Sequence, residues 1–474
     1  MGNVQRCCPP KTQRGVALLI MLLIIVMGSL AFVVGSLSKP AASIERDKIT
    51  AANLVQAKEA LVAFAVTVRL NNGCTGSNCA RPGDLPCPDS NNDGIAENVC
   101  GNASGSTGQN SRLGRLPWKT LGLPDLRDSS GERLWYAVSN NFKNNARTVC
   151  TTAGAGCLNS DALGTITVFS PEGDKLNDAG SAGTGAVALV ISPGEALTRQ
   201  GGTMQDRGSA NQNNAMNYLD IATVNGATHD NQSFIDSSTT DGFIRGRIKD
   251  SAGNVVLNDQ LLVISQSNIM SAIQKRVAAE VRQCLAEYAN DPQNNGHLPW
   301  SAPIKTSSAP SYQDKSGHLF GRVPSSFPDT GNDSGGNMTA QWGPTCNTHN
   351  NNTESGWWIN WKEMVFYALA AAYKPAAPPD PLPPNICTNG GTCLTVNPPT
   401  SSADKKFVVI VSGKMLPGQN RYSTNATTAN IHKGTLSNYL ESPNPTVYNS
   451  PPSEPAVFSP QSFSSSFNDT IVFQ

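Results

Sequence analysis

The run from Val16 to Leu37 contains no charged residue. At about 1.5 Å per residue, a helix of that length crosses a hydrocarbon core of roughly 30 Å. Ahead of it stand Arg6, Lys11 and Arg14, with no acidic residue among them. A basic flank stays on the cytoplasmic side of a bilayer and sends the following chain across. A secretory signal has a shorter apolar region with a small-x-small cleavage site behind it. Here the run is long, and the candidate processing residue, Gly15, lies before it. The rest of the chain is therefore expected outside the cytoplasm, carried on a membrane helix.

The order Gln13-Arg14-Gly15-Val16-Ala17-Leu18-Leu19-Ile20 resembles the type IV prepilin family, which includes the pseudopilins of type II secretion. The resemblance implies cleavage by a prepilin peptidase between Gly15 and Val16, and methylation of the new N-terminus. It also implies a single pass through the inner membrane of a Gram-negative bacterium, with the C-terminal part periplasmic. The subunit would then leave the membrane lipid and pack with other pilin or pseudopilin subunits in a filament at the cell surface. Two positions depart from the family. Val16 stands where Phe is usual, and Ile20 where Glu is usual. That Glu is thought to pair with the N-terminal amine of a neighbour, because a buried carboxylate needs such a partner. A subunit with none above it has no such need. In the family, the large minor subunit at the filament tip is the one that lacks the Glu. The alternative is a signal anchor holding a surface adhesin or ligand-binding ectodomain.

Beyond the membrane segment the chain reads as written twice. The first copy opens with a helix over about Thr50 to Leu70, where Leu54, Ala57, Leu61, Phe64 and Val68 line one face. The second opens with Ile269 to Ala289, where Ile273, Val277, Val281, Leu285 and Tyr288 form a similar stripe. Gly114-Arg115-Leu116-Pro117-Trp118 is matched by Gly296-His297-Leu298-Pro299-Trp300, and Leu134-Trp135-Tyr136-Ala137-Val138 by Val365-Phe366-Tyr367-Ala368-Leu369. A cysteine pair follows each, then an apolar strand: Ala186 to Ile191 in one copy, Phe407 to Val411 in the other. Asn217-Tyr218-Leu219-Asp220 answers Asn438-Tyr439-Leu440-Glu441, and each copy closes on Asn-Asp and a strand, at Asn258-Asp259 and Asn468-Asp469. A helix that buries its stripe on a sheet face makes an α+β unit. The expected fold is thus α+β: a transmembrane and amphipathic helix, then two tandem helix-plus-antiparallel-sheet units, pilin-like by analogy, with disulfide-stapled loops. The expected divisions are a leader at 1–15, the membrane half of the helix at 16–39, a first unit at 40–265 and a second at 266–474.

Cys7 and Cys8 fall in the leader. The other ten cysteines are Cys74, Cys79, Cys87, Cys100, Cys150, Cys157, Cys284, Cys346, Cys387 and Cys393. An even number in an oxidising compartment reads as disulfides, though sequence does not fix their connectivity. Short loops favour 74–79, 87–100, 150–157 and 387–393, which leaves 284–346. No pair has the two-residue spacing of a zinc knuckle, so zinc is disfavoured.

Asp89-Ser90-Asn91-Asn92-Asp93-Gly94-Ile95-Ala96-Glu97 lies between Cys87 and Cys100. Counted from Asp89, it offers oxygen ligands at positions 1, 3 and 5, a turn glycine at 6, the Ile95 carbonyl at 7 and a carboxylate at 9. That set suits a hard cation such as calcium. It resembles the calcium loops of extracellular repeats more than an EF-hand, whose position-12 Glu is Cys100 here. The plain reading is an Asn/Asp/Gly turn without metal. Asp291 to Gly296 stands in the matching place of the second copy with the turn glycine but one carboxylate, so no tight site is expected there.

Chemistry of other kinds finds little support. The five histidines include no i, i+4 pair and no His-Glu-x-x-His, and there is no Gly-x-Ser-x-Gly elbow. An enzyme is not expected. The formal net charge is zero and there is no basic run, which argues against nucleic acid as a partner. Leu116-Pro117-Trp118 and the tryptophans Trp357, Trp358 and Trp361 read either as exposed platforms for a ligand or, more simply, as core.

Overall fold

The computed structural model describes residues 44–70, 79–101, 111–143, 150, 156–180, 184–199, 202–304, 312–344, 346, 356–388, 392–446 and 457–474. The leader, the apolar run with Gly15, Val16 and Ile20, and Cys74 lie outside these residues. The chain divides into Met1–Asn53 and Leu54–Gln474. The first helix, α1, spans Ile44–Thr67 and is long and apolar enough to cross a membrane. Within the larger unit its buried residues are Leu54, Ala57, Leu61 and Ala65. The expected stripe holds to Leu61 and then continues by a step of four to Ala65, while Phe64 is only half-buried.

The second helix, α2, runs over Gln266–Asn290 and starts at Ser265, whose backbone N–H donates to Asn268 Oδ1 at 2.9 Å. That closes one otherwise unpaired donor of the first turn. Ile273, Val277, Val281, Leu285 and Tyr288 are all buried, as the 3.6-residue period requires. Lys58 on α1 ties the two helices together, donating to the Val263 carbonyl at 3.0 Å and to Asn268 Oδ1 at 2.9 Å.

Two four-stranded antiparallel sheets form the frame. The first has strands β1 (Leu113–Arg115), β2 (Trp135–Val138), β3 (Ala188–Ser192) and β4 (Gln260–Ile264), in that order. The second has β5 (Phe320–Arg322), β6 (Val365–Leu369), β7 (Phe407–Val411) and β8 (Thr470–Phe473), also in order. The central strands are continuous apolar runs because both faces of each sheet are covered. On the first sheet Tyr136, Val138, Ala188 and Val190 face the core shared with the helices, while Trp135, Ala137, Leu189 and Ile191 face a second core. Side chains that alternate with period two make this division automatic. Helix α2 packs on β7 and β8. Side chains from both sheets and both helices meet in one main core.

The two sheets share their strand register and several flanking hydrogen bonds. Tyr136 donates its hydroxyl to the Pro86 carbonyl at 3.1 Å, and Tyr367 does the same to Pro299 at 3.1 Å. Leu85 N–H donates to Phe142 O at 2.7 Å, and Leu298 N–H to Tyr373 O at 2.8 Å. Gly114 approaches Asp89 and Gly321 approaches Ala302 so closely that an added Cβ would lie 2.8 Å and 1.9 Å from those carbonyl oxygens. These contacts correct the motif alignment. Gly114-Arg115 corresponds to Gly321-Arg322, and Leu85-Pro86 to Leu298-Pro299. Strand register is fixed by which side chains are buried, and it overrides the recurring Leu-Pro-Trp string. Ala302, not Asp291, is therefore the counterpart of Asp89.

Candidate functional site

The Asp89 loop is pinned at its ends by the Cys87–Cys100 disulfide, with Cα atoms 5.6 Å apart. Asp89 is buried and holds the loop from inside. Its Oδ1 accepts from the N–H groups of Asn91, Asn92 and Asp93 at 3.1, 2.6 and 3.3 Å, and its Oδ2 from Gly94 N–H at 2.7 Å. Asn91 Oδ1 accepts from Asp93 N–H at 3.0 Å, and Asp93 Oδ1 from Ile95 N–H at 2.7 Å. Asp89, Asn91 and Asp93 each thus cap the N–H two residues on, as Asx turns do, and Asp89 also takes those of Asn92, Asp93 and Gly94. Gly94 has φ +87°, and a Cβ there would sit 2.6 Å from Trp118 Nε1. Only glycine fits both the dihedral and the space.

The carboxylate of Glu97 points elsewhere. Its Oε1 accepts from Ser90 N–H at 3.2 Å and from Ser90 Oγ at 2.6 Å. Among the described residues no three His, Cys, Asp or Glu side chains are grouped to hold a metal. Burial raises the pKa of Asp89, the backbone donors oppose that, and the charge of Asp93 adds to it. Asp89, Asn91, Asp93 and the Ile95 carbonyl share one turn, while Glu97 joins them only by leaving Ser90.

Four disulfides are described: Cys87–Cys100, Cys150–Cys157, Cys284–Cys346 and Cys387–Cys393. Cys79 is also disulfide-bonded. Three of the four are pairs that short loops favour, and Cys284–Cys346 is the long pair that remained. Of the aromatic residues weighed as platforms, Trp357, Trp358 and Trp361 are core residues, and Trp118 is half-buried against Gly94.

Two side-chain arrangements go beyond the sites expected from the sequence, which marked the second only as a recurring motif. In the first sheet the Arg115 guanidinium lies 4.4 Å from the Trp135 ring centre and 4.0 Å from that of Tyr218, with Arg207 5.0 Å from Tyr218. In the second, Arg322 lies 4.1 Å from Phe366 and 4.4 Å from Tyr439, with Arg421 5.0 Å from Tyr439. Each cation–π contact of this kind contributes about 0.5–2 kcal/mol. The second arrangement is a pair of buried carboxyl groups near the start of each last strand. Asp220 N–H donates to Asp259 Oδ2 at 2.9 Å, and Glu441 N–H to Asp469 Oδ2 at 3.0 Å. Gln205 reaches Asp220 at 2.9 Å as Gln419 reaches Glu441 at 3.0 Å. Burial pushes Asp220 up to about 6. Asp259 and Asp469 go well above the usual carboxylate range, first by burial and then by the neighbouring acid.

No family model, curated protein or solved structure matches this chain.

Proposed function

We propose that the protein is a large minor subunit of a type IV pilus or type II secretion filament, seated at the tip or in the initiating complex. The observation that carries this reading is the succession of a basic leader, Gly15, the charge-free run Val16 to Leu37 and the helix Ile44–Thr67. A helix that leaves a membrane for a filament core needs apolar residues beyond the bilayer. Ile44, Ile49 and Val55 are exposed on α1. Disulfides suit an ectodomain outside the reducing cytoplasm. The matched sheets support an origin in two tandem α+β units, of which only the first has a membrane half. Ile20, in place of a carboxylate, suits a subunit with no neighbour above it.

The tip position is tested with Ile20→Glu. An isolated carboxylate in an apolar helix core is costly without a cationic partner. The variant should be lost from sheared filaments or displaced from their ends. Incorporation at the wild-type level and place would overturn the tip assignment. As part of the same proposal, the Asp89 loop takes calcium through Asp89, Asn91, Asp93, the Ile95 carbonyl and Glu97. The order of donors and the left-handed Gly94 support this.

A further inference from the structure

The arginine–aromatic stack is the same in the two sheets, but its surroundings are not. Register sets Arg115 opposite Trp135 and Arg322 opposite Phe366, so Glu132 answers Glu363 and Arg133 answers Met364. Beside the second stack, the Lys433 carbonyl accepts from Arg322 at 3.0 Å, and the Lys433 ammonium pairs with Glu363. Lys433 is buried there, on the last turn of helix Ala426–Gly434. Beside the first stack, the Gln212 carbonyl plays the same part, accepting from Arg115 Nη2 at 2.7 Å and Nε at 3.3 Å. Gln212 brings no cation, and its side chain is exposed.

A cavity of about 310 Å³ opens at this place in the first sheet. Arg115, Arg127, Arg133 and Arg207 line it against a single carboxylate, Glu132, which lies 3.4 Å from Arg207. Asp125 does not line the cavity, and it holds Arg127 at 2.7 Å and Arg133 at 2.8 Å. Backbone carbonyls meet many of the guanidinium N–H groups, but a carbonyl satisfies a donor without neutralising its charge. Arg115 remains cationic although burial lowers it to about 10. Positive charge partly withdrawn from water attracts an anion more strongly than the same charge on an open surface.

We propose that this cavity binds an oxyanion, the phosphate or carboxylate of a ligand no larger than a single sugar. Its volume is at the lower end of the range for small-molecule sites, too small for a folded partner. The planar guanidinium fork suits a two-oxygen group. The tip of the Asp89 loop forms one wall. Arg133 Nη1 donates to Asn92 O at 2.9 Å and to Asn92 Oδ1 at 2.8 Å, and Asn92 Nδ2 donates to Gln212 Oε1 at 3.1 Å. Met364 takes the place of Arg133 in the second sheet, so the site as lined here belongs to the first. This proposal stands apart from the filament assignment.

The test is a titration of the full chain in detergent, at low ionic strength, with inorganic phosphate, glucose 6-phosphate and glucuronate, read by calorimetry. Two variants change the charge of this wall: Gln212→Glu, which adds a second carboxylate, and Arg133→Met, which imports the second sheet's residue. We expect saturable binding of at least one probe by the wild type. It should weaken about tenfold in Arg133→Met, the order for one charge-assisted contact, and at least as much in Gln212→Glu at an unchanged melting temperature. Binding of phosphate alone would mark a free oxyanion as the ligand, and binding of a sugar probe a conjugated one. The absence of saturation by all three probes in the wild type overturns the proposal whether or not the variants fold. Equal affinity in wild type and a folded Gln212→Glu does the same.

Discussion

Asp259 is wholly buried beside Asp220, and its Oδ2 takes both the Asp220 N–H and the Asn231 amide at 2.9 Å. Two carboxylates so placed cannot both ionise cheaply, although Arg207 offsets part of the repulsion. Their pKa values are higher in the folded than in the unfolded chain, so the folded state binds more protons. Stability from this pair is present at low pH and falls as pH rises through the folded values. For Asp220 alone, a rise from 3.8 to about 6 corresponds to a loss of the order of 3 kcal/mol between about pH 4 and pH 7. Asp259→Asn should therefore gain on the wild type as pH rises, measured by urea unfolding at pH 5 and pH 8, whereas parallel profiles would contradict this account. Calcium in large excess should raise the melting temperature by mass action, and Asp93→Asn should abolish most of the rise. A melting temperature indifferent to calcium removes the ion from the account. The turn around Gly94 was legible in the sequence because donor order and glycine position are local. The turning of Glu97 to Ser90 was not, because it depends on the chain coming back beside Pro88, whose carbonyl accepts from Glu97 N–H at 3.3 Å. The carboxyl pairs were visible only as recurring Asn-Asp markers, since burial, which shifts their pKa values, is a property of the fold.

Helix α2 was legible because its period is regular over its whole length and its buried residues are large. Helix α1 was read less accurately at its C-terminal end, where a small residue, Ala65, takes the buried position and Phe64 sits at its edge. Truncating Leu61 to Ala should cost about 2–5 kcal/mol, the usual range for a buried leucine whose site cannot collapse. The matching of the sheets was legible from the aromatic strands, but the Leu-Pro-Trp string misled the alignment of β1, since its partner β5 carries Gly-Arg-Val-Pro. The disulfides act at this scale too. Cys284–Cys346 joins α2 to a distant loop across a sequence separation of 62, against 13 for Cys87–Cys100. Loop-closure entropy then predicts a loss of about 4 kcal/mol for the Cys284→Ser/Cys346→Ser double variant and about 3 for Cys87→Ser/Cys100→Ser. Denaturant midpoints measured without added calcium give the order. Equal losses would mean that strain or residual structure in the unfolded chain outweighs the loop length.

For the whole molecule, Leu54–Gln474 forms one compact unit whose main core draws on both sheets. Two sheets that share a core cannot drift apart. In the proposed filament, a large ectodomain is expected at an end, because along a shaft it would crowd its neighbours. This places the central claim on the short segment before the apolar run, where Gly15 precedes Val16. The decisive measurement is intact mass spectrometry of the N-terminus, with and without a co-expressed prepilin peptidase. The account predicts a chain that begins at N-methylated Val16 only when the peptidase is present. An intact leader in both samples, or cleavage behind the apolar run near Leu37, would contradict it and leave an anchored or secreted binding protein in its place.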